Sequence, residues 1–582
     1  MRLRRAGPRA RILAAAGCAA AFAAPASAQP FERPADERPP LPAFEEPAPR
    51  PELELPALPE LLLPERGASG GPSVVLRGVE IEGSSVFDAE ELRAAVLPWI
   101  GREIGSEDLV AIRDALTRLY VEHGYLNSGA VIPDQDLAGG ILHVRIVEGR
   151  LAGVEIEGAE HYRPGVLRDR LELGASVPLD VARLEERLQL LQQDPRIERV
   201  NARLVPGEAP GEAVLRVDLE EASPWRVFLE ANNYANPAFG GFQGELHLGD
   251  ENALGFGDEV YSRVTVAEGI VDVEGGYEIP VTARGTLVRL GGEWSRSKIV
   301  EDPFSELDVR TRYRSARIGV EHPLLHTLHT QLLVGVNGEW RDAKTRTCVF
   351  EDVLGGCDPL AFPGSGADDD GETTVSVLRF SQELVRRERS QVFAARSLLS
   401  VGLPILGARD GDQAPPPLGV SDLRNPDGRF VAWLAQVQWA RRFEPTGMQL
   451  ILRVDAQLAN DALPSLERFP VGGHLSVRGY RENQIVRDEG VVASAELRVP
   501  LRFAPEVVGS FQLAPFVDFG HATNRKNPTP TPENLTSLGV GLLWERGPFE
   551  ASLYYGYGFE NVDTSGDLQD TGVQFRFGVR VF

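Results

Sequence analysis

Arg478 and Asp518 are the residues of this chain whose surroundings point most directly to a paired chemistry. Leu475-Ser476-Val477-Arg478-Gly479-Tyr480 lies in a polar, glycine-rich segment between two strongly alternating runs, which predicts a loop with an arginine at its tip. Downstream, Phe516-Val517-Asp518-Phe519-Gly520 reads as a strand. A period of two puts Phe516, Asp518 and Gly520 on one face and Val517 and Phe519 on the other. If that greasy second face meets lipid, Asp518 points into a lumen, where a fixed cation such as Arg478 is its natural partner. The chemistry in view is a charge-assisted latch. The alternative for a loop arginine is plain solvated surface, and the elements around it decide between the two.

The chain has 582 residues, a net charge of −25 and 42% hydrophobic residues, with 60 glycines and 43 prolines. That is too long for one ordinary domain and too acidic for a nucleic-acid binder, and it suits a turn-rich β structure. Residues 1–28 have the pattern of a secretory signal: Arg2, Arg4, Arg5, Arg9 and Arg11, an apolar stretch from Ile12 to Ala24, then Ala26-Ser27-Ala28. No later apolar run reaches the roughly 18 residues of a membrane-spanning helix, so a membrane form of this protein is a barrel. Beyond the signal only Cys348 and Cys357 remain, close together in a Gly- and Asp-rich segment, and export predicts a small loop disulfide between them. Further soft ligands for a metal are lacking there. His322, His326 and His329 read as solvated residues of a turn around Pro323.

Residues 29–72 are dense in proline and glutamate and read as an extended linker; Pro59 to Pro64 gives the one hint of helix. An internal repeat follows, Val79-Glu80-Ile81-Glu82-Gly83 recurring as Val154-Glu155-Ile156-Glu157-Gly158. After each copy comes an apolar helical face: Leu109, Ile112, Leu116 and Leu119 behind a Ser106 cap, then Val181, Leu184, Leu188 and Leu191 behind Asp180. Alternating strands close both copies, with Leu142, Val144 and Ile146 in one and Ala213, Leu215, Val217 and Leu219 in the other. The reading is two small α+β domains, 73–149 and 150–222. An open sheet edge in such a domain can take up an extended chain through main-chain hydrogen bonds that do not depend on its sequence.

From 223 to 582 the helical period disappears. Met448, Leu450, Leu452, Val454, Ala456 and Leu458 alternate with polar residues, as do Val491, Ala493, Ala495, Leu497 and Val499 with Ser494, Glu496 and Arg498. Strand starts near 225, 240, 257, 269, 285, 309, 328, 373, 390, 430, 447, 490, 509, 534, 548 and 572 give about 16 strands, joined by connections that alternate between short and long. That rule belongs to a transmembrane antiparallel β-barrel; a soluble sandwich has no reason to keep it. The count puts Arg478 in the long connection 468–489 between strands eleven and twelve, and Asp518 on strand thirteen. The final Phe582 falls out of phase with the apolar face of Val573, Phe575, Phe577, Val579 and Val581, which a terminal bulge would repair. No nucleophile elbow, metal motif or phosphate loop is present, and Leu538-Gly539-Val540-Gly541 reads as close strand packing.

The two motifs resemble the signatures of the two-partner secretion transporters, the haemolysin-activator type of outer-membrane translocating barrel. The repeat is similar to a tandem of polypeptide-transport-associated (POTRA) domains. The resemblance covers nearly all of the chain after residue 28. It implies a plug loop whose tip, Val477, Arg478, Gly479 and Tyr480, folds into the pore and pairs with the Phe516, Asp518, Gly520 strand. It further implies export of an unfolded partner exoprotein held by the periplasmic POTRA domains, without enzyme activity or cofactor. A lipid-embedded barrel of this kind relies on the barrel-assembly machinery for its own insertion. The rival expectation is a factor that inserts other outer-membrane proteins.

Overall fold

The computed structural model describes residues 52–54, 73–348, 356–362, 364–410, 424–502, 508–562 and 566–581. The signal segment 1–28, nearly all of the linker, the possible helix at 59–64 and Phe582 lie outside the described residues.

Two α+β modules lead the chain. In the first, strand Gly78–Glu82 is followed by helices Ala89–Val96 and Ser106–Glu122 and by strands Gly129–Val131 and Ile141–Val147. The second repeats that order with strand Arg150–Glu157, helices Pro164–Glu172 and Val181–Gln192, and strands Ile197–Pro206 and Glu212–Glu221. In both, the first strand pairs parallel with the last, and the remaining strand runs antiparallel to it. Asp88 opens the first helix with a reciprocal capping box to Glu91, and Asp180 caps its helix by accepting from the Ala182 amide at 2.9 Å. The Ser106 cap is corrected: Gly105 is the cap position and its amide donates to Asp108, so Ser106 is already helical. Ile112, Leu116 and Tyr120 are buried in the first core and Val181, Leu184, Leu188 and Leu191 in the second. Each fully buried leucine contributes about 2 kcal/mol of apolar transfer.

The remainder is a closed antiparallel barrel of 16 strands from Trp225–Asn232 to Val573–Arg580, in which the first strand pairs with the last. Alternation decides which side chains face out. On strand thirteen, Ser510–Thr523, Val517 is 52% exposed whereas Asp518 is fully buried. The outward set is apolar, as a lipid-facing surface requires. Connections at the module end are short, such as 389–390 and 547–548, and those at the far end are long, such as 403–430 and 460–488. One far-end connection breaks the pattern: Glu268-Gly269 closes strands three and four in two residues. The histidine turn is also corrected, since strand Val309–His326 runs through His322 and Pro323 with a bulge between Pro323 and Leu325.

A turn between the second and third strands, 251–258, is clamped to the second module. Arg163 donates to the Leu254 carbonyl at 3.0 Å and lies 4.1 Å over the Phe256 ring, while Arg196 donates to the Glu251 carbonyl. Behind them Asp194 accepts from Tyr162 at 2.8 Å, Arg170 at 3.1 Å and Arg196 at 3.2 Å. Burial alone would raise the Asp194 pKa, but Arg196 and Arg170 beside it hold it below the usual carboxylate range. A depressed folded pKa gives stabilisation that is complete above the ordinary carboxylate pKa of about 4 and is lost as pH falls through the lower folded value. The junction is therefore expected to hold from neutral pH down to about 4 and to loosen in stronger acid, with Asp194→Asn costing about 3 kcal/mol at pH 7. Proteolysis of the 251–258 turn followed against pH in both chains checks this; equal acid sensitivity of the variant and the parent would refute it.

Candidate functional site

The connection 460–488 turns inward into the barrel. Its stem is a short antiparallel pair, Phe469–Val471 with Ile485–Arg487, and its tip spans 472–484. The loop carries its own apolar centre: Phe469, Val471, Val477, Tyr480 and Ile485 pack with Val492, Ala522 and Leu535 of the wall. Hydrophobic burial thus helps to place the tip, alongside the charge pairing.

At the tip, the Arg478 guanidinium meets Asp518 through two parallel bonds, Nε to Oδ2 at 2.8 Å and Nη2 to Oδ1 at 3.0 Å, and the Arg478 amide donates to Oδ2 at 3.1 Å. Nη1 pairs with Glu496, and Ser494 Oγ donates to Asp518 Oδ1 at 2.6 Å. The guanidinium lies 3.7 Å over the Phe516 ring and 5.0 Å from that of Tyr554. Every face of the cation is thus occupied by a carboxylate, a hydroxyl or an aromatic ring. Arg498 offsets the second carboxylate at 2.7 Å, so two cations stand against two anions. Each charge-assisted bond of this kind is worth about 1.5–3 kcal/mol net.

The glycines of both motifs make room for this contact. Gly479 has φ +91°, where an L side chain is strained, and its backbone lies against Gly556 of strand fifteen, at which an added Cβ would sit 2.7 Å from the Gly479 Cα. A Cβ on Gly520 would lie 2.3 Å from Val471 Cγ1 and 2.9 Å from Val477 Cγ2. Gly520 is therefore the hollow into which the valine of the tip fits. Gly539, read from sequence as close packing, does the same for the Phe516 ring at 2.4 Å.

Further anchors do not belong to either motif. At the base of the loop, Glu467 accepts from Arg379 at 2.8 Å and lies 3.3 Å from Arg341, and both arginines also reach Glu339. Strands seven, Thr330–Thr347, and eight, Glu372–Glu388, supply them. Beyond the tip, Arg481 pairs with Glu301 at 2.9 Å and with Asp570, Tyr480 Oη donates to Glu560 and the Tyr480 carbonyl accepts from Gln574. His474 stacks on Tyr234 at 3.8 Å. The loop thus spans the lumen from one wall to the other, beside a residual cavity of about 1490 Å³. Sequence reasoning identified Ser494, Glu496 and Arg498 as an inward polar face without giving them partners, and it missed Glu467, Arg341, Arg379, Arg481 and Asp570. The inward phase of each strand was the available signal; which cation meets which anion across a barrel is not a local property.

Among the long connections, Cys348 and Cys357 are joined by a disulfide, Sγ–Sγ 1.97 Å. The same connection approaches the loop base, where Ser465 N donates to Ser365 O at 3.0 Å and Arg468, paired with Asp488 at 3.3 Å, donates to the Gly364 carbonyl.

A closed 16-stranded barrel fronted by α+β modules, with a loop turned into its lumen, is the architecture of an outer-membrane barrel that carries periplasmic domains. Family comparison agrees. Residues 74–149 match the POTRA domain, ShlB-type, and residues 371–543 match the haemolysin secretion/activation protein ShlB/FhaC/HecB. The outer membrane transporter CdiB of Escherichia coli is 24% identical over 516 residues, covering 85% of this chain and 80% of the relative. The heme/hemopexin transporter protein HuxB of Haemophilus influenzae is 19% identical over 78% of this chain and 77% of its own. Among solved structures, CdiB from Escherichia coli superimposes with a TM-score of 0.63 at 21% identity, covering 90% of this chain and 94% of that one. BamA from Haemophilus ducreyi lacking POTRA domains 1–3 shares the fold with a TM-score of 0.50 at 12% identity, over 87% and 100%. Two segments of the chain thus match models of the ShlB/FhaC/HecB type, its full-length relatives are outer-membrane transporters, and its place is the outer membrane with the POTRA region in the periplasm.

If the glycine hollows seat the tip, Gly556→Val unseats it while the barrel still inserts. Bilayer conductance is expected to rise severalfold above that of the parent chain. Gly165→Ala, at a helical position where an added Cβ meets nothing within 4 Å, is expected to leave conductance unchanged. Parent-like conductance of Gly556→Val would show that the tip does not close the pore.

Proposed function

We propose that this transporter exports one partner exoprotein, of the haemolysin or adhesin class, through its own lumen, and that the loop 468–489 is the gate. The observation that carries the reading is the burial of Arg478 between Asp518 and Glu496, which seats the loop tip against strands twelve and thirteen inside the barrel. In this reading the signal 1–28 directs the protein out of the cytoplasm, and the barrel-assembly machinery inserts it. Both α+β modules act as POTRA domains that hold the client unfolded in the periplasm. Tip release opens the lumen, and folding of the client outside draws the chain through. The cycle uses no cofactor and no catalytic residue. It consists of exchanging ionic contacts and passing backbone, and the matched family consists of transporters.

Quantitative proteomics of medium and outer membrane, with and without this chain, tests the proposal. One or two large exoproteins are expected to vanish from the medium while outer-membrane barrels stay level. A joint fall of many barrels would instead make the chain an assembly factor.

Asp518→Asn tests the latch within that reading. Loss of one carboxylate leaves Arg478 on Glu496 alone, a cost of about 3 kcal/mol to the seated tip. Export is expected to fall at least tenfold in this variant while its heat-modifiable, inserted form stays at the parent level. Parent-level export would exclude a latch role for the Arg478–Asp518 pair.

A further inference from the structure

The outward face of the barrel changes character on one side. Strands five, Leu287–Lys298, six, Val309–His326, and seven, Thr330–Thr347, lie side by side in register and run to the end of the barrel away from the modules. Arg317 and Arg341 face the lumen, so the residues alternating with them face out. These outward side chains form cross-strand rows. In the lower rows Leu290 stands opposite Ile318, and Ala316 stands between Gly292 and Trp340; Leu290 is 47% and Ile318 59% exposed on the lipid side. One row further out Trp294 faces Arg314, and Arg296 lies over the Trp294 ring at 5.0 Å. The two rows at the rim are wholly cationic. Arg296, Arg312 and Lys344 make one, and Lys298, Arg310 and Arg346 the other.

Such an arrangement opposes ordinary sheet energetics. Like charges directly opposite on neighbouring strands destabilise a sheet. Here two successive rows, roughly 7 Å apart along the strands, set cation against cation across a strand spacing of about 4.8 Å. The carboxylates beside them do not balance the charge. Asp308 serves both Lys298 at 3.1 Å and Arg310 at 2.7 Å, and Glu372 of strand eight serves Lys344 at 2.8 Å. Asp342, in the row of Arg314, is buried. Among the described residues no ion pair involves Arg296, Arg314 or Arg346, and all three are exposed. The surplus sits in a chain whose net charge is −25. Other parts of the rim differ: the last outward residue is Leu458 on strand eleven, Met448–Ala459, and Tyr557 on strand fifteen, Phe549–Gly558, both more than half exposed.

We propose that the outward face of strands five to seven binds a phosphorylated glycolipid of the outer leaflet, its acyl chains along Leu290, Ile318 and Val320 and its phosphates on the two cationic rows. Depth is the first reason. The cations begin where the apolar face ends, at the level of Trp294 and Trp340, and aromatic side chains mark the boundary between hydrocarbon and headgroups. The modules lie at the periplasmic end, so this boundary belongs to the outer leaflet. Charge is the second reason. Clusters of Lys and Arg beside the hydrocarbon recognise anionic headgroups, and a guanidinium fork takes two phosphate oxygens at once. A phosphate between the rows also removes the like-charge cost that the bare sheet carries. A soluble acidic protein would satisfy the cations but has no use for the apolar rows directly below them. The site stands outside the lumen and is independent of the gate.

The test uses the full-length protein purified from outer membranes in mild detergent, with the lipopolysaccharide retained per barrel measured by mass spectrometry. The site variant combines Arg312→Gln, Arg314→Gln and Arg346→Gln. These changes relieve like-charge contacts, so its heat-modifiable, inserted form should match the parent, while it should retain at least fivefold less lipopolysaccharide. Arg386→Gln with Arg387→Gln and Arg389→Gln removes the same charge at the module-end turn between strands eight and nine, and should retain the parent amount. Lipopolysaccharide stripped of its phosphates should bind the delipidated parent at least tenfold more weakly than the intact lipid. Equal retention by the site variant and the parent overturns the inference. So does equal binding of the phosphate-free lipid, which would leave hydrocarbon contact as the whole cause, and this arm decides the matter if the site variant does not insert. Loss of exoprotein release from the site variant, with lipopolysaccharide held at the parent level, would assign the patch to a secreted protein instead.

Discussion

A barrel of sixteen strands encloses more space than its wall side chains can fill, so everything here depends on how the lumen is closed without being sealed for good. The solution is a buried arginine. Removing a guanidinium from water is costly unless its donors are met, and Arg478 meets them on Asp518, Glu496 and Ser494 at one position of the loop only. A shift of the tip by even one residue would leave the Arg478 cation and the Asp518 carboxylate without each other in a narrow lumen, with Glu496 still held by Arg498. The pairing therefore fixes the position of the loop sharply while adding only modest net stability.

The surrounding anchors follow the same logic. Glu467 with Arg341 and Arg379 holds the base of the loop to one wall, and Arg481 with Asp570 and Glu301 holds the far side. These are separate contacts on different strands. Apolar packing of Val477 and Tyr480 against the wall sets the location, and the ionic contacts set the register.

At the periplasmic end the design is the opposite. Arg163, Arg170 and Arg196 clamp the second module to a barrel turn, with Asp194 neutralising the cluster, so the module is held in a set orientation at the pore entrance.

Periodicity alone determined much of this protein. The switch from helical to two-residue repeats marked where the barrel starts, and alternating connection lengths gave sixteen strands with starts within three residues of those in the structure, because inside and outside of a barrel differ at every second residue. The repeated Val-Glu-Ile-Glu-Gly marked the paired α+β modules, and the inward phase of Asp518 followed from Val517 and Phe519 being apolar. Boundary detail is less legible: in sequence Ser106 reads as a cap and His322 as part of a turn, since a glycine cap and a bulged strand leave no periodic trace. Tertiary structure alone decided that Gly520 and Gly556 are hollows for the loop tip, that Glu467 faces Arg341 and Arg379 from more than eighty residues away, and that a three-residue piece of a proline-rich linker docks on a sheet edge. The reason is common to all three. Pattern in a sequence records which way a side chain faces, whereas its partner across a barrel or at a sheet edge is set by closure of the whole fold.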